Sequence, residues 1–232
     1  MTLRPPPGPQ PGTRGGVSRV GLLGGTFDPI HNGHLAAARA AQQAVALDTV
    51  RFIPSAHPPH RTETPRASEY HRLEMIRLAL ADAGDGDLAP WEVSDLELRR
   101  DGPSFTYDTL SAVHAEGLTP LQIFFIIGAD AFAEISSWHR YPAVLDAAHF
   151  AVVTRPGIAL ESLRHRLPAL ADRMVETPSV ADFSRPRVVL IESSTPDVSS
   201  TEIRARATRG ESLNGFVTPS VAAYIAQHSL YR

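Results

Sequence analysis

Along this chain, short unbroken apolar runs alternate with stretches in which apolar residues recur every three or four positions. The runs fall at 20–23, 50–53, 123–127, 150–153 and 188–191. They are continuous rather than apolar/polar alternating, as expected of strands covered on both faces. The helical periodicity predicts helices over 33–46, 68–82, 106–116, 129–134, 160–166, 199–208 and 218–228. Strands and helices taking turns with short connections predict an α/β fold. The expected form is a doubly wound parallel sheet with helices on both faces and a small C-terminal helical part. The Pro- and Gly-punctuated stretch 84–103 is the least regular portion of the middle. No internal repeat or domain-sized linker interrupts the pattern, so residues 19–232 are read as one domain. Residues 1–18 hold five prolines and four glycines with no acid. Such a segment buries too little apolar surface to offset its ordering entropy and is expected to be a disordered tail.

Composition narrows the chemistry. Of 232 residues, 43% are apolar and 20% charged, a globular balance, and the net charge of −3 offers no basic field for nucleic acid. No apolar run approaches a membrane span, and the opening stretch lacks the apolar core of an export signal, so a cytoplasmic protein is expected. Cysteine is absent, which excludes disulfides, thiol nucleophiles and Cys-built metal centres. All 22 basic residues are arginine. Without lysine there is no Schiff-base chemistry and no P-loop.

In Rossmann-like sheets of this kind ligands bind beyond the carboxyl ends of the strands, so the first strand–helix loop is the place to look. It runs Gly24-Gly25-Thr26-Phe27-Asp28-Pro29-Ile30-His31-Asn32-Gly33-His34-Leu35. The spacing is neither that of a dinucleotide fingerprint nor that of a Walker loop. The ingredients of a phosphate site are nonetheless present. Gly24 and Gly25 allow close backbone approach and positive φ, and a helix beginning near Asn32 or Gly33 turns its N–H groups and dipole toward an anion. His31 and His34, three apart, share one helical face. By themselves the glycines would fit an ordinary turn and the histidines a cap and a satisfied partner. Their placement after the first strand favours phosphate. With no cysteine and no third ligand following, a protein-held metal is not expected.

The loop resembles the signature of nucleotidyltransferases that carry an (H/T)-x-G-H motif, and more narrowly that of the bacterial nicotinate-nucleotide adenylyltransferases. Further segments follow in the family's order: Pro58-Pro59-His60-Arg61, Ser104-Phe105-Thr106-Tyr107-Asp108-Thr109-Leu110, Ile126-Ile127-Gly128-Ala129-Asp130, Trp138-His139, Arg155-Pro156-Gly157 and Val198-Ser199-Ser200-Thr201-Glu202-Ile203-Arg204. The first motif alone marks a superfamily; the ordered set is specific. One position departs, since Arg61 stands where the family commonly has lysine, a planar fork in place of a compact ammonium.

The resemblance implies attack of a mononucleotide 5′-phosphate on the α-phosphorus of ATP, giving deamido-NAD and pyrophosphate, with Mg²⁺ delivered by ATP. A phosphate monoester is largely dianionic at neutral pH, so the nucleophile requires no general base. Aligning two anions and neutralising the leaving pyrophosphate remain. His31, His34 and Arg204 are the expected catalytic groups, with His34 nearest the α-phosphoryl. Gly24, Gly25, Thr26, Phe27, Gly33, Gly128, Asp130, Ser199, Ser200 and Thr201 are expected around ATP. Asp130 stands either to accept from ribose hydroxyls or to meet the water shell of the metal. The 199–204 stretch reads as a second anion-binding helix start or as an ordinary capped surface helix. Arg61, Thr106, Tyr107, Asp108, Trp138 and Arg155 are expected to bind the acceptor, with the Trp138 indole stacking on the pyridinium unless it is a core or rim residue.

Rivals remain. A sister adenylyltransferase would act on nicotinamide mononucleotide or phosphopantetheine; the Trp138 and Ser104–Leu110 segments favour a pyridine nucleotide. A class I aminoacyl-tRNA synthetase fragment would need a lysine-bearing loop this chain lacks. A non-catalytic nucleotide-binding module is the remote alternative. An oligomer is compatible with the sequence.

Overall fold

The computed structural model describes residues 18–58, 64–84, 90–154, 160–176 and 182–232. The expected tail, apart from Ser18, and the expected acceptor-binding residues Arg61 and Arg155 lie outside the described residues. In chain order the elements are β1 (Val20–Gly25), α1 (Asn32–Val45), β2 (Thr49–Pro54), α2 (Glu69–Ala83), β3 (Trp91–Val93), α3 (Thr106–Ala115), β4 (Ile123–Gly128) and α4 (Ala129–Phe132). Then come β5 (His149–Val153), α5 (Leu160–Arg166), β6 (Met174–Glu176), β7 (Val188–Ile191), α6 (Ser200–Thr208) and α7 (Pro219–Gln227). Every expected strand and helix is present, with ends within two residues. The pattern did not predict β3 and β6, two three-residue strands at the sheet's edges.

The seven strands are parallel throughout and ordered β3-β2-β1-β4-β5-β7-β6. Period-2 side-chain alternation divides the core into two layers. Leu23, Phe124, Ile126, Ala151, Val153, Val189 and Ile191 face one side, with buried residues of α1, α2, α6 and α7. Leu22, Phe125, Ile127, Phe150, Val152, Val188 and Leu190 face the other, with Leu110 and Val113 of α3, Phe132 and Val144. Both faces being covered explains why the strands read as unbroken apolar runs. Helix α7 packs on α2, where Asp82 accepts from the backbone N–H (2.8 Å) and hydroxyl of Ser220. The C-terminal helices are therefore part of the first layer rather than an appendage. Winding runs outward from β1 to β3 and, on the other side, from β4 onward, so the chain reverses direction between β1 and β4 and opens a crevice at their carboxyl ends.

Candidate active site

A cavity of about 520 Å³ occupies that crevice. One wall is the β1–α1 loop, contributing Gly24, Gly25, Thr26, His31, Gly33 and His34. A second is the end of β4 with the start of α4, contributing Gly128 and Asp130, and a third is the approach to α6, contributing Thr195, Ser199, Ser200 and Thr201. Thr106 and Trp138 close the fourth side.

Within the loop, the left-handed residue is not a glycine. Gly24 and Gly25 finish strand β1, and Phe27 takes φ 49°, which corrects the expectation that the glycines supply positive φ. The cost of placing a side chain there is offset by full burial of the Phe27 ring. That ring lies so close under Gly25 that a Cβ on Gly25 would come within 3.1 Å of it. It meets the His34 imidazole edge-on at 4.9 Å, so Phe27 stands behind the cavity wall and braces a residue that lines it. The His31 and His34 rings stack at 3.7 Å. His34 Nδ1 accepts the backbone N–H of His31 (3.2 Å), which leaves Nε2 as the protonated, donating nitrogen of the neutral ring. Gly33 is pressed between His31 and the 195–198 segment: a Cβ would lie 3.1 Å from the His31 ring and 3.5 Å from the Pro196 carbonyl. The N–H of Asn32 is taken by the Phe216 carbonyl (2.9 Å), so α1 presents fewer open amides than a bare helix end would.

The second helix start converges on the first. Ser199 caps α6 by accepting the Glu202 N–H (3.2 Å), and the Ser200 hydroxyl donates to the Pro29 carbonyl (2.9 Å). Arg204, one turn in, is turned toward the protein. It donates to the Asp28 carbonyl (2.7 Å) and the Thr201 hydroxyl (3.2 Å), and it does not line the cavity. Tyr107 and Asp108 likewise sit in the first turn of α3 outside the lining, with the Arg140 guanidinium 5.4 Å over the Tyr107 ring.

On the opposite side the Trp138 indole stands edge-on to Phe125 (6.3 Å). Beside it, Phe105 and His139 stack at 4.3 Å and both line the cavity. Glu97 also reaches this wall. Burial pushes its carboxyl above the usual carboxylate range, partly offset by hydrogen bonds from Thr109 and Ser104 and by Arg100. Among the described residues no group of three or more His, Asp or Glu is arranged to hold a metal ion, and no helix is long and apolar enough to cross a membrane.

The cytidylyltransferase-like family model matches residues 22–206, which spans the whole cavity. A probable nicotinate-nucleotide adenylyltransferase of Pseudomonas entomophila (strain L48) is 41% identical over 216 residues, 93% of this chain and 96% of the relative. One of Roseiflexus sp. (strain RS-1) is 41% identical over 213 residues, 92% and 98% of the two chains. The chain belongs to the nicotinate-nucleotide adenylyltransferase family. Its fold is shared by the Plasmodium falciparum nicotinic acid mononucleotide adenylyltransferase complexed with NaAD, with a TM-score of 0.66, 19% identity and coverage of 92% of this chain and 97% of that one.

In this family member, three residues that the sequence reading left unassigned hold the histidine loop in place. Asp28, buried, accepts the backbone N–H groups of Arg66 (2.9 Å) and Ala67 (3.0 Å) and the Tyr231 hydroxyl (2.8 Å). Arg72 donates to the carbonyls of Thr26 (2.8 Å) and Ser55 (2.7 Å). Segment 55–77 reads as a mostly solvated, charge-alternating face, yet Arg72 is only 1% exposed. A signal was present: positions 72, 75, 76 and 79 form one stripe, and Met75, Ile76 and Ala79 are its apolar members.

Proposed function

We propose that this chain transfers the AMP moiety of ATP to nicotinate mononucleotide, forming deamido-NAD and pyrophosphate. A 5′-phosphate oxygen of the mononucleotide attacks the α-phosphorus in line. The bond from that phosphorus to the bridging oxygen breaks, and pyrophosphate leaves with the electron pair. No covalent intermediate and no general base are needed, because the attacking phosphate is already ionised. The observation that carries this reading is the convergence of two helix starts on one cavity at the sheet's switch point. The relatives' names supply the acceptor. Its volume lies in the range of small-molecule sites.

The Nε2–H of His34, with His31 stacked on it, donates to the α-phosphoryl and stabilises the charge that develops there, while Ser199, Ser200 and Thr201 receive the outer phosphates at the α6 start. Arg204 steadies the same loop from behind and reaches a phosphate by giving up its bond to Thr201. Gly128 and Asp130 face the adenosine ribose. Thr106 and Trp138 hold the acceptor, the indole stacking on its pyridinium; Tyr107 and Asp108 support Thr106 from the same helix. Mg²⁺ enters with ATP as part of the substrate. The need for ATP places the reaction in the cytoplasm.

The test is a pair of parallel assays of pyrophosphate release with ATP and either nicotinate or nicotinamide mononucleotide. Turnover with nicotinate mononucleotide at the higher kcat/KM is expected. Preference for the carboxamide would replace the acceptor; release with neither would leave phosphopantetheine as the acceptor to assay, and release with none of the three would return the chain to the non-catalytic alternative.

A further inference from the structure

The loop that carries the histidines has little structure of its own between Thr26 and His31. Its shape comes from partners outside it, and these come from the far end of the chain as well as from α2. Asp28 is the hub. Its Oδ1 accepts from the Ala67 N–H and from the Tyr231 hydroxyl at 2.8 Å, and its Oδ2 accepts from the Arg66 N–H and lies 3.8 Å from the Arg204 guanidinium. Tyr231 follows α7 and is itself fixed. Its backbone is left-handed (φ 67°), its carbonyl accepts the Thr208 hydroxyl at 2.6 Å, and the residue is 8% exposed. A phenylalanine would fill the same apolar space; the hydroxyl is what the loop adds. Burial and the neighbouring Asp28 carboxylate raise the phenol above its ordinary range, so it stays protonated and donates throughout neutral pH.

We propose that Tyr231 is a positioning residue of the nucleotide site: its hydroxyl, bonded to Asp28, holds the loop so that His31 and His34 face the triphosphate. This inference rests on reading the cavity as the ATP site. The Arg204–Asp28 carbonyl bond and the Ser200–Pro29 bond tie the same loop to α6, and Tyr231, whose carbonyl accepts the hydroxyl of Thr208 at the end of that helix, adds a third tie through the Asp28 carboxylate. Losing the hydroxyl leaves Oδ1 with the amide of Ala67 as its remaining described donor and lets the loop relax away from the α6 start.

The experiment compares wild type with Tyr231→Phe, which keeps the ring. The readouts are steady-state kinetics for both substrates and direct calorimetric binding of a non-hydrolysable α,β-methylene ATP analogue. A rise of about tenfold in the KM for ATP and in the analogue's Kd, with the KM for the mononucleotide unchanged, is expected. A lower kcat matched by an equal fall in the analogue's calorimetric binding stoichiometry, with both KM values and its Kd unchanged, would mean a smaller active fraction and would overturn the proposal, as would wild-type behaviour. If Tyr231→Phe does not fold, Thr208→Val decides, with the same pattern at smaller amplitude expected and unchanged ATP parameters overturning the idea. Should wild type bind the analogue but not turn over nicotinate mononucleotide, the acceptor reading fails while analogue affinity still judges Tyr231.

Discussion

At the scale of single residues, the edge contact of Phe27 on His34 and the backbone N–H bonded to His34 Nδ1 fix the direction of the Nε2–H donor before any ligand arrives. Replacing His34 with alanine removes that donor, and kcat for pyrophosphate release is expected to fall by at least about 100-fold with a smaller change in the KM for the mononucleotide. Trp138→Ala should do the reverse, raising the mononucleotide KM about tenfold while the KM for ATP stays put, because only the stacking face is lost. The histidines were legible because spacing and first-strand placement both pointed to them. Asp28 and Arg72 were not, since charged residues ordinarily mean solvent. What makes them buried is a set of backbone partners distant in sequence, and no local pattern encodes those.

Elements were legible wherever burial imposed a period. The central strands are covered on both faces and so read as runs, and α1 shows its stripe at Leu35, Ala38, Gln42 and Val45. The edge strands β3 and β6 have three residues each, too few for any period, and their half-buried side chains blend into irregular surroundings. Helix α2 illustrates the same limit from the other direction, because its charge alternation hides the member of the stripe that ties it to the loop. Truncating that member as Arg72→Ala strands two backbone carbonyls and opens space beneath the loop. A loss of about 2–5 kcal/mol in unfolding free energy is expected, read from the denaturant midpoint at unchanged slope. Ser199→Ala should cost about 1 kcal/mol by uncapping α6.

For the molecule as a whole, acid sensitivity has an identifiable source far from the cavity. His149 opens β5 at its amino end, fully buried, stacked on Phe124 at 4.5 Å and accepting the Arg187 N–H at Nδ1. Burial pushes its imidazole down to about 4; the Leu121 carbonyl opposes this, and Arg19 and Arg187 add to it. The folded protein thus refuses a proton that the unfolded chain accepts near 6.5. The resulting stability is complete above that pH and is lost as pH falls toward 4, about 3 kcal/mol in all. Unfolding curves from pH 7 to 4 should show this decline, and His149→Gln should flatten it. Because Val153, at the other end of the same strand, is the part that lines the cavity, substrate KM values above pH 6.5 should not move in that variant.

The Asp28–Tyr231 bond spans 203 positions of sequence. A ribosome therefore releases the histidine loop long before it makes the residue that fastens it, and the sheet's strands can begin to associate in the meantime. Closing so remote a contact is entropically slow. In a nascent chain the histidine loop therefore gains this partner only after all seven strands of the sheet have been made.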